Sequence, residues 1–151
     1  MDLAIDWVVG FVDGVGHFLV HVEPDPQSEV SYHVRPEFLV VQHERDVQVL
    51  YRLKRFFRCG VVRRRGNSEY VFSIQKFRCL QQVVAFFERH GLKTKKNVDF
   101  KKFARIVHWM ENGRHLTREG LVDIVKLATT MSECDQERLQ EILDALKQQA
   151  G

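Results

Sequence analysis

Hydrophobic and polar residues alternate along four short stretches of the chain, a pattern typical of half-buried β-strands. The first two stretches run from His17 to Glu23 and from Tyr32 to Gln42. The other two, Val61 to Arg65 and Glu69 to Gln75, are separated by Gly66, Asn67 and Ser68, and this spacing predicts a β-hairpin.

Hydrophobic residues spaced three and four positions apart predict helices between and after these strands. The helices cover Glu44 to Phe57, Phe77 to Arg89, a stretch capped by Asp99, about Thr117 to Met131, and Asp135 to Gln149. The last helix carries a continuous apolar stripe formed by Leu139, Ile142, Leu143 and Leu146. This stripe must pack either on the rest of the domain or on a partner protein.

A shorter apolar helix is predicted ahead of the first strand, with Asp6 as its N-cap and glycines at its end. Gly10 and Gly14 lie four residues apart and therefore share one helical face. Because glycine has no side chain, a second helix can approach this face almost backbone to backbone. A helix this short depends on such packing for its stability.

The chain has 151 residues, of which 44% are hydrophobic, and this is enough for a full core. We predict one domain over residues 1–132, followed by an amphipathic helix over residues 133–151. The net charge of +3 and the pI near 8.8 permit nucleic-acid binding without requiring it.

The apolar runs predict the compartment of the protein, and the cysteines predict the redox state of its thiols. No apolar run approaches the length of a membrane span and the N-terminus lacks a basic signal region, so we expect a cytoplasmic protein without a membrane partner. Cys59, Cys79 and Cys134 are odd in number and far apart. We therefore expect reduced thiols rather than a disulfide or a metal site.

The stretch from Val8 to Gly16, Val-Val-Gly-Phe-Val-Asp-Gly-Val-Gly, resembles the LAGLIDADG motif of homing endonucleases. Gly10 matches the first glycine of the motif and Asp13 its first acid, with Gly14 and Gly16 around its second acid. The resemblance covers about residues 5–130. It implies an α+β fold of αββαββα order with a saddle-shaped antiparallel sheet, to which C-terminal helices are added.

A single motif in the chain implies a homodimer, because single-motif members of this family pack their two motif helices together. The dimer contacts expected from the resemblance are Trp7, Gly10, Phe11 and Gly14. The resemblance also implies that the sheet lies in the major groove of double-stranded DNA, which admits a β-ribbon and exposes the edges of the bases.

Strand parity identifies the outward-facing residues that are candidates for DNA contact: His17, His21, Arg35, Arg63, Arg65, Ser73 and Gln75. We interpret the two histidines as surface or DNA-facing residues rather than metal ligands, because Leu19 separates them and no carboxylate cluster accompanies them. The same face also carries glutamates and aliphatic residues. The aliphatic ones that would suit a protein partner are Leu19, Leu39 and Val71.

The main departure from the motif is Val15. The resemblance places an Asp or Glu at this position, where it would bind the divalent cation used for phosphodiester hydrolysis. Valine supplies no oxygen, which hard cations such as Mg²⁺ require. We therefore predict poor or absent DNA cleavage and expect no cofactor, with Mg²⁺ needed only if nuclease activity persists.

Other positions match catalytic residues of the family. Gln42 corresponds to a glutamine that organises water near the scissile phosphate, and Lys95 to a basic residue that activates or stabilises the reacting groups. Asp13 lies two residues from Val15, but the resemblance assigns this acid to the end of the helix rather than to the metal.

The sequence is compatible with several functions. The first is a cleavage-impaired homodimer that binds double-stranded DNA. The second is a repurposed fold that acts as a protein-interaction or structural component. If an intron encodes the chain, an RNA splicing maturase and an organellar location are further alternatives, and an active nuclease that recruits Asp13 as a metal ligand is another.

Overall fold

The computed structural model describes residues 2–149, so Met1, Ala150 and Gly151 of the predicted ranges lie outside the described residues. The elements in chain order are α1 (Ile5–Val15), β1 (Gly16–Pro24), β2 (Tyr32–His43), α2 (Val47–Phe57), β3 (Val61–Arg65), β4 (Glu69–Ile74), α3 (Phe77–Arg89), α4 (Lys96–Glu111), α5 (Arg118–Ala128) and α6 (Gln136–Gln148). Short 3₁₀ turns at Glu44–Asp46 and Arg114–Leu116 precede α2 and α5. The predicted αββαββα order with added C-terminal helices is confirmed.

None of the described helices is long and apolar enough to cross a membrane.

The four strands form one antiparallel sheet in the order β1-β2-β4-β3. In this sheet Val41 and Arg63 both lie opposite Val71, and Leu39 lies opposite Ser73. Paired residues point to the same side of a sheet, so the odd-numbered residues of these strands share a face. We call this the outward face; it comprises Glu37, Leu39, Val41, Val61, Arg63, Arg65, Glu69, Val71 and Ser73, with Gln75 directly after β4.

The chain divides into two compact units. The first consists of Met1–Phe18 and Glu37–Asn97, and it contains α1, α2, β3, β4 and α3. The second consists of Leu19–Pro36 and Val98–Gly151, and it contains α5, α6 and most of α4. Strands β1 and β2 contribute residues to both units.

Aromatic rings form the core of the first unit. Phe38 of β2 and Phe72 of β4 point away from the outward face and are fully buried. Phe57 of α2 and Phe87 of α3 lie with their ring centroids 5.8 and 6.0 Å from that of Phe38. Burial of one such side chain contributes about 1.5–3 kcal/mol, so these contacts fix which face of the strands receives the helices. The odd-numbered residues are thereby directed away from the helices.

In the second unit, α6 buries the apolar stripe that the sequence predicts. Its members are at most 7% exposed: Leu139, Ile142, Leu143 and Leu146. Helices α5 and α6 pack against each other. Asp135 caps α6 by accepting a hydrogen bond from the backbone N–H of Arg138 at 3.1 Å. The stripe is therefore covered within the chain itself.

The N-caps predicted at Asp6 and Asp99 are both wrong. Ala4 is the N-cap of α1, and Asp6 lies in the first turn of that helix. Helix α4 begins at Lys96 and so includes Asp99 in its first turn. Its start is held by Thr94, whose hydroxyl accepts the backbone N–H of Lys96 at 3.2 Å. Acidic residues are favourable throughout a first helical turn, so they mark a helix start only to within a few residues.

The expectation of reduced thiols is wrong for Cys59 and Cys79. These residues form a disulfide with their Cα atoms 6.3 Å apart, whereas Cys134 is free. The two bonded cysteines are 20 residues apart in sequence, and the β3–β4 hairpin between them brings them together. Burial raises the pKa of the Cys134 thiol, which makes that cysteine a poor nucleophile.

Replacing Cys79 with Ala should lower the free energy of unfolding of the oxidised protein by about 2–4 kcal/mol, because the disulfide restricts the unfolded chain. Denaturation in urea with and without a reductant measures this effect. The matched control is Cys134→Ala, whose stability should respond to reductant as the unsubstituted protein does. Equal stability of the Cys79→Ala variant and the oxidised protein would contradict this role of the disulfide.

Candidate nucleic-acid interface

The C-terminal end of α1 is fastened to the segment before α4 by the carboxylate of Asp13. Its Oδ2 accepts the backbone N–H of Lys93 at 2.7 Å, and its Oδ1 accepts the hydroxyl of Thr94 at 2.6 Å. The backbone N–H of Thr94 lies 3.1 Å from both oxygens. Asp13 is only 9% exposed. We call this junction the α1 foot; it comprises Asp13, Val15, Gly16, Lys93, Thr94 and Lys96.

Asp13 is held in its ionised form. Burial opposes ionisation, but hydrogen bonds from the Thr94 hydroxyl and from the backbone N–H groups of Lys93 and Thr94 outweigh it and lower the pKa of the carboxyl. The positive charge of Lys96 acts in the same direction. Both carboxylate oxygens are therefore charged at neutral pH and already used as acceptors.

The α1 foot does not fit the hard divalent cation that the sequence resemblance implies. Val15 offers no oxygen, and both Asp13 oxygens accept hydrogen bonds from the protein. The ammonium of Lys96 donates to the backbone oxygen of Gly16, which places a positive charge at the end of α1. Among residues 2–149, no group of three or more His, Cys, Asp or Glu side chains could hold a metal ion.

One side of α1 is left open within the chain. Trp7 is 44% exposed and stacks on Phe11 with the ring centroids 4.8 Å apart. A Cβ added at Gly10 or Gly14 would have no atom within 4 Å, whereas one at Gly16 would lie 2.7 Å from the Val12 side chain. Trp7, Gly10, Phe11 and Gly14 share this side of the helix, which we call the α1 outer face. They are the residues predicted to form the dimer contact.

The two predicted catalytic residues occupy different surroundings. Gln42 lies in a shallow depression together with Trp7 and Phe11, and its side-chain amide donates to the backbone oxygen of Val41 at 2.9 Å. Lys95 is exposed and directly follows Thr94 of the α1 foot. Within the described part of the chain, no hydrogen bond or ion pair joins Gln42 to Lys95.

Positive charge on the outward face comes from β3. Arg63 and Arg65 are both exposed there. Arg65 forms an ion pair with Glu69 at 3.5 Å, and because both side chains are about half exposed the pair contributes little stability. Arg63 also lines a depression beside β4 that includes Gln75 and Lys76. Because Arg63 and Arg65 are exposed, they can contact a polyanion without breaking an interaction with a buried partner.

Three side chains of the outward face are buried in spite of their orientation: Glu37, Val71 and Ser73 are 5%, 1% and 3% exposed. Strand β4 lies between β2 and β3, so side chains of both neighbouring strands cover Val71 and Ser73. The suggestion that Val71 is an exposed contact for a protein partner is therefore wrong. The Ser73 hydroxyl donates to the Glu37 carboxylate at 2.6 Å.

The remaining candidates belong to β1 and β2. His17, at the start of β1, is partly buried, as is His21 further along the strand. Arg35 donates to Glu23 at 2.6 Å, and this hydrogen bond lowers the pKa of the Glu23 carboxyl. The charge of Arg35 is thus largely compensated within the second unit.

Comparison with known proteins agrees with this arrangement. A family model described as LAGLIDADG endonuclease matches residues 8–107, which include the motif stretch, the sheet and the α1 foot. The chain belongs to the LAGLIDADG endonuclease family. The matched range begins at Val8 and so contains the whole motif stretch, Val15 included.

Relatives and solved structures of the LAGLIDADG family extend this result. The chain is 30% identical over 129 residues to the probable intron-encoded endonuclease 3 of Neurospora crassa, covering 83% of the chain but 24% of that protein. It is 54% identical to the homing endonuclease I-TnaI, with a TM-score of 0.95 and coverage of 97% of this chain and 99% of that one. The I-SmaMI LAGLIDADG homing endonuclease bound to cleaved DNA is 30% identical, with a TM-score of 0.90, and the match covers 96% of this chain and 49% of that one. The chain thus spans about a quarter of that curated relative and half of I-SmaMI.

Replacing Asp13 with Asn should lower the free energy of unfolding at pH 7 by about 1–3 kcal/mol, because an N–H group of Lys93 or Thr94 then loses its acceptor. The pKa of Asp13 lies below its ordinary value of 3.8 in the folded protein. The contribution of the Asp13 carboxylate to stability is therefore complete above about pH 4. It is lost as the pH falls through the pKa of this carboxyl in the folded protein.

The stability difference between the Asp13→Asn variant and the unsubstituted protein should accordingly shrink below about pH 4. Urea denaturation over a pH series measures it. Asp6→Asn, on the same helix, is the control and should change stability by less than about 0.5 kcal/mol. A difference that stays constant down to the lowest pH would contradict the assigned role of the carboxylate.

Proposed function

We propose that the chain binds double-stranded DNA as a homodimer and cleaves it poorly or not at all. The observation that carries this proposal is the α1 foot. Val15 offers no oxygen at the position where the sequence resemblance expects a metal ligand, and the nearby Asp13 carboxylate is committed to Lys93 and Thr94. On this proposal, the chain binds the duplex without a divalent cation.

Duplex binding is supported by family membership and by the outward face. I-SmaMI, which shares the fold at a TM-score of 0.90, is bound to DNA in its structure. The outward face exposes Arg63 and Arg65, and arginine forms the commonest specific contact to guanine in the major groove. Phosphate contacts from Lys76 and other exposed cations would then supply most of the affinity.

Dimerisation is supported by the α1 outer face. An exposed Trp7 stacked on Phe11 forms an apolar surface, and the open positions at Gly10 and Gly14 permit close approach of a second helix. The chain matches about half of I-SmaMI, so two copies supply the length of that DNA-bound chain. The self-complementary contact of two α1 outer faces is the arrangement expected of a two-fold dimer.

Impaired cleavage is supported by the chemistry of the α1 foot. A hard cation needs oxygen ligands, and the only carboxylate there, that of Asp13, is committed to Lys93 and Thr94. The Lys96 ammonium would repel a cation from the adjacent backbone oxygen of Gly16. Recruitment of Asp13 as a metal ligand would require both sets of contacts to break.

The direct test is selection of bound fragments from a random duplex library at two salt concentrations, followed by incubation of the selected duplex with Mg²⁺. We expect one long, roughly palindromic site, a steep loss of affinity with salt and no cleavage. Failure to enrich any sequence at either salt concentration would overturn duplex recognition and favour a protein or RNA partner.

A Val15→Glu variant separates a missing ligand from a site that is inactive for other reasons. Cleavage gained by this variant on the selected duplex would show that Val15 is the cause of the impairment. Ile5→Glu, at an exposed position of α1 that lies outside the α1 outer face, is the control for adding a charge to this helix. Efficient cleavage by the unsubstituted protein would overturn the proposal.

Replacing Gly14 with Leu should weaken self-association by about 10- to 100-fold, because a bulky side chain in a close helix contact costs about 1–3 kcal/mol. The chain should stay folded, since nothing lies within 4 Å of a Cβ at this position. Sedimentation equilibrium measures the association constant. Ala85→Leu, at an exposed position of α3, is the matched control. Unchanged association in the Gly14→Leu variant would rule out the α1 outer face as the dimer contact.

A further inference from the structure

The outer side of α2 carries positive charge that the proposed function does not use. Residues 47–68 contain seven Arg or Lys residues and no Asp or Glu, whereas the whole chain has a net charge of +3. The rest of the chain is therefore net negative, and positive charge is concentrated in this segment. Three of the seven cations belong to β3, and the other four lie on α2 or directly after it: Arg52, Lys54, Arg55 and Arg58.

The two central cations of this group point away from the sheet. Leu50 and Leu53 of α2 are fully buried, and Phe57 at the end of the helix packs on Phe38 of the core. With about 3.6 residues per turn, Arg52 and Arg55 fall on the opposite side of α2, where both are exposed. Since α2 covers the sheet on the side opposite the outward face, a duplex on the outward face would leave these two arginines uncovered.

The four cations lack acidic partners. Among residues 2–149, none of them forms an ion pair or a side-chain hydrogen bond, whereas Arg64 of β3 pairs with Glu44 at 3.3 Å. Arg52, Arg55 and Arg58 follow one another at intervals of three residues. Like charges one turn apart repel each other and destabilise a helix, so a bound polyanion would relieve this repulsion.

Aromatic rings lie beside these cations. Tyr51 is 44% exposed and precedes Arg55 by one turn, so the two share a side of α2. Phe56, one turn after Arg52, is partly exposed, and so is Phe86 of α3, whose ring centroid lies 5.4 Å from that of Phe56. Exposed rings next to cations provide surfaces on which unpaired bases stack while the cations contact the phosphates.

From this combination we infer that a surface formed by Tyr51, Arg52, Arg55 and Phe56, here called the α2 surface, binds single-stranded nucleic acid. The arginines contact phosphates, and the exposed Tyr51 ring stacks on a base. A duplex offers phosphates without free base faces, and an acidic peptide offers charge alone, so only a single strand engages both kinds of side chain. The inference does not rest on duplex binding, because the α2 surface and the outward face share no residue.

The test is titration of a labelled single-stranded oligonucleotide of mixed sequence, prepared once as RNA and once as DNA, at several salt concentrations. Tyr51→Ala should weaken binding by about tenfold without changing its salt dependence, because stacking involves no counterion. Replacing both Arg52 and Arg55 with Gln should weaken binding and reduce the slope of log affinity against log salt by about 1.4, or about 0.7 for each cation.

Two controls show that these effects belong to the α2 surface. Replacing both Lys101 and Arg105 with Gln removes the same charge from exposed positions of α4 and should leave the affinity and the salt slope unchanged. Urea denaturation should show that every variant is as stable as the unsubstituted protein, because all the substituted positions are exposed. Binding of either strand supports the inference, and tighter binding of RNA would show that a 2′-hydroxyl is recognised.

The inference would be overturned if neither strand bound, if Tyr51→Ala bound as tightly as the unsubstituted protein, or if the α4 control lost as much affinity as the α2 variant. Displacement of the single strand by an excess of the selected duplex would overturn it as well, because the strand would then occupy the outward face. Failure to enrich any duplex would instead overturn the proposed function, and the titration would still decide, since it requires no duplex.

Discussion

The bonds from Lys93 and Thr94 to the Asp13 carboxylate are the constraint on which the candidate site depends. They join the end of α1 to the chain just before α4, two regions about eighty residues apart in sequence. Through Thr94 the same bonds define where α4 begins, and they place Lys95 and Lys96 next to the start of β1. These contacts give the Asp13 carboxylate an architectural role at this place.

The two acid positions of the motif, occupied here by Asp13 and Val15, differ in what their side chains can do. Asp13 joins α1 to Lys93 and Thr94, whereas Val15 supplies no oxygen. The Lys96 ammonium compensates the backbone oxygen of Gly16, which a cation could otherwise approach. Under the proposed function, the DNA-binding fold would persist without cleavage, because neither the contacts of Asp13 nor the exposed arginines of the outward face involve Val15.

The centre of the sheet imposes a second constraint. Val71 and Ser73 of β4 are buried although they point away from the helices, so a polar residue there must find a partner within the sheet. Ser73 finds Glu37, and Glu37 in turn finds Gln75. The outward face consequently presents fewer independent polar groups than its sequence suggests.

Elements with strong local signals could be predicted from the sequence, whereas contacts between distant residues could not. Helix α3 has the predicted bounds, and α6 begins at Gln136, one residue after its predicted start, because periodicity is a local property. The Cys59–Cys79 disulfide depends on the path of a hairpin, and the burial of Val71 depends on strand order. The motif indicated that Asp13 belongs to the helix end, but its partner Thr94 carries no sequence signal of its own.

The most direct test of DNA binding by a homodimer that does not cleave is sedimentation velocity of the protein mixed with its selected duplex in the presence of Mg²⁺. We expect one species that contains two chains and one intact duplex, with the same mass after Mg²⁺ is replaced by a chelator. A complex with a single chain, a duplex recovered in two fragments, or a complex that dissociates in the chelator would contradict it.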